Sequence, residues 1–154
     1  TPLLAAASSG SAELITWLLS GPPGALATPS LEEQDDRGAT CVLVAAEAGA
    51  IAALRELLRR GAAPSATDDH GCGPLHYAAA GGSVEMVEFC VQELKISCSV
   101  QDSDGDTPLL VAAHEGNTAV VEWLLTHGSS LSEKNNDGMS AMMAALAGEK
   151  PETI

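Results

Sequence analysis

A seven-residue segment that returns every 33 or 34 residues constrains this chain more than any other feature. Thr107 to Ala113 (TPLLVAA) recurs as Thr1 to Ala7 (TPLLAAA), with weaker copies at Thr40 to Ala46 (TCVLVAA), Gly73 to Ala79 (GPLHYAA) and Ser140 to Leu146 (SAMMAAL). The starts at 1, 40, 73, 107 and 140 give steps of 39, 33, 34 and 33. A scarce residue class keeps the same register. Of only four aromatic residues, Trp17, Phe89 and Trp123 each lie 16 positions after a start. Glycines bracket the segment, at Gly38, Gly71, Gly105 and Gly138 ahead of it and at Gly10, Gly49, Gly82 and Gly116 behind. A period of this size describes stacked units, each too small to bury its own apolar face.

One unit can be read locally. Asp102-Ser-Asp-Gly105-Asp carries turn residues, with Gly105 at the position that needs positive φ. Thr107 caps a helix opened by Pro108, and Gly116 stops it. Ala112 and Ala113 keep one face small, so that a neighbouring helix can approach closely. Thr118 to His127 reads as a second helix, with Val120, Val121, Leu124 and Leu125 on one face and Gly128 at its end. Composition agrees. With 26 Ala, 19 Leu and few β-branched runs, helices are favoured over a sandwich or barrel.

The unit resembles the ankyrin repeat, through its 33-residue step, its G-x-T-P-L-x-x-A-A-x-x-G core and its Leu-Leu-x-x-Gly close. The resemblance covers nearly the whole chain and implies an all-α solenoid of stacked helix-turn-helix units with β-turn or hairpin fingers. It divides residues 1–154 into repeat one with a long linker (about 1–34), repeats two (35–67), three (68–101) and four (102–134), and a partial fifth (135–154). Three departures stand out. Repeat one lacks its turn. The first step is six residues too long, the excess falling in Gly21 to Gln34, where Pro22, Pro23 and Pro29 block regular helix. Repeat three ends in Glu93-Leu-Lys-Ile-Ser-Cys98, without the closing glycine and with one residue extra. The chain starts at Thr1 with no Met and is expected to be a piece of a longer protein.

Charge narrows the choice of partner. Seven Lys and Arg against 21 Asp and Glu give −14, which disfavours nucleic acid and anionic membrane by long-range repulsion. No apolar run approaches the roughly 20 residues that span a bilayer. The four cysteines form no CxxC pair and are read as reduced thiols of an intracellular protein, cytoplasmic or nuclear. Cys90 occupies a leucine slot and reads as core, whereas Cys72 and Cys98 are expected to be exposed.

Apparent chemistry dissolves into the repeat. Asp102, Asp104 and Asp106 imitate a calcium loop, but Gly105 is fourth instead of sixth and the twelfth residue is Ala113 instead of Glu. His70, Cys72 and His76 have metal-like spacing. Yet His76 falls in the slot where the family uses imidazole to brace the turn, a bond expected to weaken with Gly73 in place of Thr. No phosphate loop and no nucleophile elbow is present. Thr28-Pro29 matches a proline-directed phosphorylation site but reads more simply as linker. Ser65, Ser99 and Ser132 replace the Asn that is hydroxylated in some ankyrin proteins, so that modification is not expected.

The resemblance implies a recognition scaffold without catalysis, cofactor or metal. Family partners contact the turn tips and the exposed face of each first helix. Carried over residue by residue, this gives Asp36, Arg37 and Glu47 in repeat two, and Asp69, His70 and Tyr77 in repeat three. Repeat four gives Ser103, Asp104, Asp106, His114 and Glu115; repeat five gives Asn136, Asp137 and Met139. With the turn-opening Asp35, Asp68 and Asp102, this side holds ten acids and one base. The expected partner is a protein or peptide segment bearing Lys or Arg, bound by a monomer. The alternative is a structural spacer whose groove is empty or packs within its own protein.

Overall fold

The computed structural model describes residues 1–21, 23–24 and 27–148. Pro22, one of the linker prolines, and the chain after Gly148 lie outside the described residues. Nine helices lie among the described residues, four inner–outer pairs followed by a single ninth helix. The inner layer is α1 (Pro2–Ser9), α3 (Cys41–Glu47), α5 (Pro74–Gly81), α7 (Pro108–Glu115) and α9 (Ala141–Ala147). The outer layer is α2 (Ala12–Leu19), α4 (Ile51–Arg59), α6 (Val84–Gln92) and α8 (Thr118–Thr126). Each inner helix packs on the next, α1 to α3 to α5 to α7 to α9, and each of the first four packs on its own outer helix. The described residues contain no strand, only the isolated bridges Gln34–Thr40 and Lys134–Ser140 at turn bases. The chain is an all-α solenoid.

Small side chains permit the inner stack. The alanine pairs at 6–7, 45–46, 78–79 and 112–113 are buried, so inner helices meet almost backbone to backbone. The leucines just before them, Leu3, Leu43, Leu75 and Leu109, are fully buried between the layers. Gly81 sits where an added Cβ would lie 2.0 Å from the Glu47 carbonyl oxygen.

The third repeat closes without glycine by forcing Lys95 to φ 59°, the left-handed conformation that Gly61 (φ 98°) and Gly128 (φ 113°) adopt at the same point of their repeats. His76 is braced despite the loss of Thr. The backbone N–H of Gly73 donates to its Nδ1 at 3.2 Å, which leaves Nε2–H to donate to the Asp106 carbonyl at 3.0 Å. With no threonine hydroxyl present, the backbone supplies the donor, and the ring also ties repeat three to repeat four. Cys98 is buried, contrary to expectation, under the loop where Ser129 donates to its carbonyl; Cys72 is half-buried.

Candidate functional site: the turn and inner-helix surface

The turns present the candidate residues, and one local motif holds all four. In each turn the Oδ1 atom of the opening residue accepts two backbone N–H groups, all at 2.9–3.0 Å. Asp35 accepts from Arg37 and Ala39, and Asp68 from His70 and Cys72. Asp102 accepts from Asp104 and Asp106, and Asn135 from Asp137 and Met139. The turn-opening acids are therefore structural. Successive turns are stitched by main chain, with Asp69 N–H to the Arg37 carbonyl (3.2 Å), Ser103 N–H to His70 (2.9 Å) and Asn136 N–H to Asp104 (3.0 Å). The stitch needs glycine, because a Cβ on Gly105 would lie 2.6 Å from Asn136 Oδ1 and its φ is +80°. The turn tips thus form a fixed ladder, with Asp36, Asp69, Ser103, Asp104, Asn136 and Asp137 exposed along it.

The predicted residues divide into two groups. Around repeats two and three, Arg37 makes ion pairs with Asp35 (3.1 Å) and Glu47 (3.3 Å). Its guanidinium carbon lies 5.5 Å from the centroid of the Tyr77 ring. Tyr77 is buried, and its hydroxyl donates to Asp68 Oδ2 at 2.9 Å. Burial pushes the phenol above its ordinary pKa, and the Asp68 bond adds to the shift. This group carries its own cation, which partly offsets Asp35 and Glu47, and Tyr77 supports the surface from beneath.

The second group lies between repeats three, four and five, around a cavity of about 320 Å³. Its apolar floor is Leu110, Val111, Met139 and Ala144, with Cys72 and Asp102 beside it. Asp104, Asp106 and Glu115 stand around it with His70 and His114. Asp106 accepts from Asn135 Nδ2 (2.8 Å) through Oδ1, and Glu115 meets His114 Nδ1 (3.2 Å) through Oε1. Among the described residues no Lys or Arg lines the cavity. Leu110, Val111 and Ala144 were not among the predicted site residues. Val111 and Ala144 share the repeat position that Tyr77 holds in repeat three, and this register is the sequence signal that could have placed them here.

The thiols are not activated. Burial pushes the thiols up, Cys41 to about 11 and Cys72 and Cys90 to about 12, so each is a protonated thiol at neutral pH. All four cysteines are free. Among the described residues no group of three or more His, Cys, Asp or Glu could hold a metal ion, and no helix is long and apolar enough to cross a membrane.

A family model described as Ankyrin repeats (3 copies) matches residues 3–102 and 89–154. The chain belongs to the ankyrin repeat family. Ankyrin repeats mediate protein–protein interaction and are typically non-catalytic. The chain is similar to a probable 26S proteasome regulatory subunit, p28, of Saccharomyces cerevisiae, at 30% identity over 95% of this chain and 63% of that protein. It is also similar to the human transient receptor potential cation channel subfamily A member 1, at 29% identity over 78% of this chain and 11% of the channel. A third relative is alpha-latrotoxin-Lh1a of Latrodectus hasselti, 36% identical over 49% of this chain and 5% of the toxin. The chain therefore spans less than two thirds of the length of each of these ankyrin relatives.

Proposed function

We propose that this ankyrin array binds a segment of a partner protein on its turn and inner-helix surface, and that the segment presents Lys or Arg to the acids between repeats three and five. The observation that carries this reading is the apolar-floored cavity, where Asp104, Asp106 and Glu115 stand around the rim and no Lys or Arg is found among the described lining residues. Carboxylates steer the partner and raise the association rate, while the apolar floor sets how long the complex lasts. The net charge of −14 argues against nucleic acid or anionic lipid in the same place. Free thiols at all four cysteines fit a reducing intracellular compartment.

The test is an association-rate series across salt concentration, run with a partner captured on the chain. Surface steering decays over a Debye length of about 8 Å at physiological ionic strength, so the on-rate falls as salt rises. Reversing Asp104 and Glu115 to Lys should slow association about tenfold. Asp106 is left alone because its carboxylate holds Asn135 of the next turn. Glu122→Lys, on the exposed side of α8, is the control that leaves the rate unchanged. An on-rate indifferent to both salt and the double reversal would overturn the reading and leave the structural spacer.

A further inference from the structure

An earlier repeat provides an internal counterpart to the cavity. Arg37 is the third residue of its turn. It lies between Asp35 and Glu47 and over Tyr77, a residue of the following repeat. One repeat further on, the arginine position holds His70 and the tyrosine position holds Val111. Two repeats further on, they hold Asp104 and Ala144. Two changes therefore coincide. The built-in cation is replaced by imidazole and then by an acid, and the aromatic ring beneath it by smaller aliphatic side chains. The result is the cavity of about 320 Å³, whose lining includes His70, Asp104, Val111 and Ala144.

We propose that this cavity receives one arginine side chain of the partner, so that a guanidinium enters from outside where Arg37 is supplied from within. The inference rests on the reading of this surface as the partner site and deepens it by naming the anchoring residue. The acceptors are the Asp104 carboxylate, Asp106 Oδ2 and Glu115 Oε2. Asp102 is not among them, because its Oδ1 holds the turn and its Oδ2 accepts from Cys72 Sγ at 3.3 Å. The methylenes of the arginine lie along Val111, Met139 and Ala144. Arginine fits better than lysine for two reasons. Its flat, weakly hydrated guanidinium sheds water more readily over an apolar floor, and its fork of donors can serve two carboxylates at once.

The probe is Nα-acetyl-arginine amide, titrated at millimolar concentrations into the isotopically labelled 154-residue chain and followed by backbone amide NMR. The lysine and citrulline analogues are titrated alongside. Saturable shifts are expected at Asp104, Val111, Glu115 and Met139, roughly fivefold or more larger for arginine than for the neutral citrulline analogue. Asp104→Asn with Glu115→Gln should abolish them while leaving the signals of repeats one and two in place. Equal responses to lysine and arginine, shifts spread evenly over every exposed acid, shifts surviving in the double variant, or no saturable shift would each overturn the arginine pocket. The partner on-rate series tests the wider surface separately, since salt-dependent association can persist without an arginine pocket.

Discussion

At the residue scale, one pair of positions shows how side chains at fixed register succeed or fail together. The helix-capping residue of one repeat faces the residue two before the next turn. Thr107 donates to Glu133 Oε2 at 2.6 Å, and the pair is satisfied. One step back, Gly73 faces Val100 and the polar pair is gone, leaving a mainly apolar cavity of about 200 Å³. Two steps back, the register pairs Thr40 with Ala66, which carries no acceptor in its side chain, and the buried Thr40 hydroxyl has no hydrogen-bond partner among the described residues. Thr40→Val should therefore stabilise the chain by about 1 kcal/mol, and Thr107→Val should destabilise it by about 1–2 kcal/mol because Glu133 loses its donor. Urea unfolding of the two variants checks the opposite signs. His76 makes a pH prediction. Burial holds its pKa below the usual 6.5 despite the Asp106 carbonyl bond, and the neutral ring is the form that accepts from Gly73. The unfolded chain then takes the proton first, so this contribution is complete above pH 6.5 and is lost as pH falls below it towards the folded pKa. Glu56 acts at lower pH. Hydrogen bonds from Arg59, and then from Arg60 and Thr16, hold it down at about 2, so its contribution is present above pH 4.5 and fades as pH falls towards 2. Unfolding free energy measured from pH 8 to pH 3 should fall in these two windows, and His76→Gln should remove the upper one.

At the scale of the element, helix ends decide where the repeat bends its rules. Glu56 sits in the slot that Trp17, Phe89 and Trp123 occupy elsewhere, and it anchors Arg59, Arg60 and Thr16 of the neighbouring α2. It therefore works as a clasp between outer helices. Phe89 in the same slot is buried beneath Arg55, whose guanidinium carbon lies 5.1 Å from the ring centroid. Trp123 stacks on His127 with ring centroids 3.7 Å apart. Lys95 shows the cost of a missing closing glycine. A non-glycine residue at φ 59° is strained by about 1 kcal/mol, and its neighbour Ile96 still donates to the Cys90 carbonyl at 3.1 Å. Lys95→Gly should raise stability by about 0.5–1 kcal/mol, read as a higher urea midpoint at constant slope. A fall in midpoint would mean that the Lys95 side chain makes a contact worth more than the strain.

At the scale of the whole molecule, stacking makes protection depend on place. The core runs through the inner helices, and the central α5 and α7 are covered by repeats on both sides. The ends expose what the centre buries. Leu14 and Trp17 of α2 are exposed, as are Met142, Met143 and Leu146 of α9, although Leu109, Leu110 and Ala113 in the matching α7 positions are buried. In a nearest-neighbour array the terminal units open first. For the 154-residue chain taken by itself, amide exchange should be fastest in α1, α2 and α9 and slowest in α5 and α7, and equal protection throughout would contradict this. The linker should be nicked first by protease, since Gly21, Pro23, Gly24, Ala27 and Thr28 are exposed and non-helical. First cuts inside repeats three or four would argue otherwise.

The sequence by itself determined the solenoid. Period, caps and turn glycines are local signals, and they repeat often enough that Thr107, Gly105 and Pro108 could each be assigned a place before any contact was known. The turn-opening acids, counted from sequence with the recognition side, proved to be structural, because each accepts two backbone N–H groups within its own turn. Tertiary structure alone decided which of the other acids share a site. Arg37 and Glu47 are ten residues apart and close on each other over a ring from the next repeat, which removes them from the free charge. Asp104, Glu115, Met139 and Ala144 come from two repeats and gather around one cavity only when those repeats stack. The burial of Cys98 and the second hydrogen bond of His76 have the same origin. Each depends on atoms roughly 30 residues away, whose approach is set by the packing of one unit on the next and is invisible to local propensity.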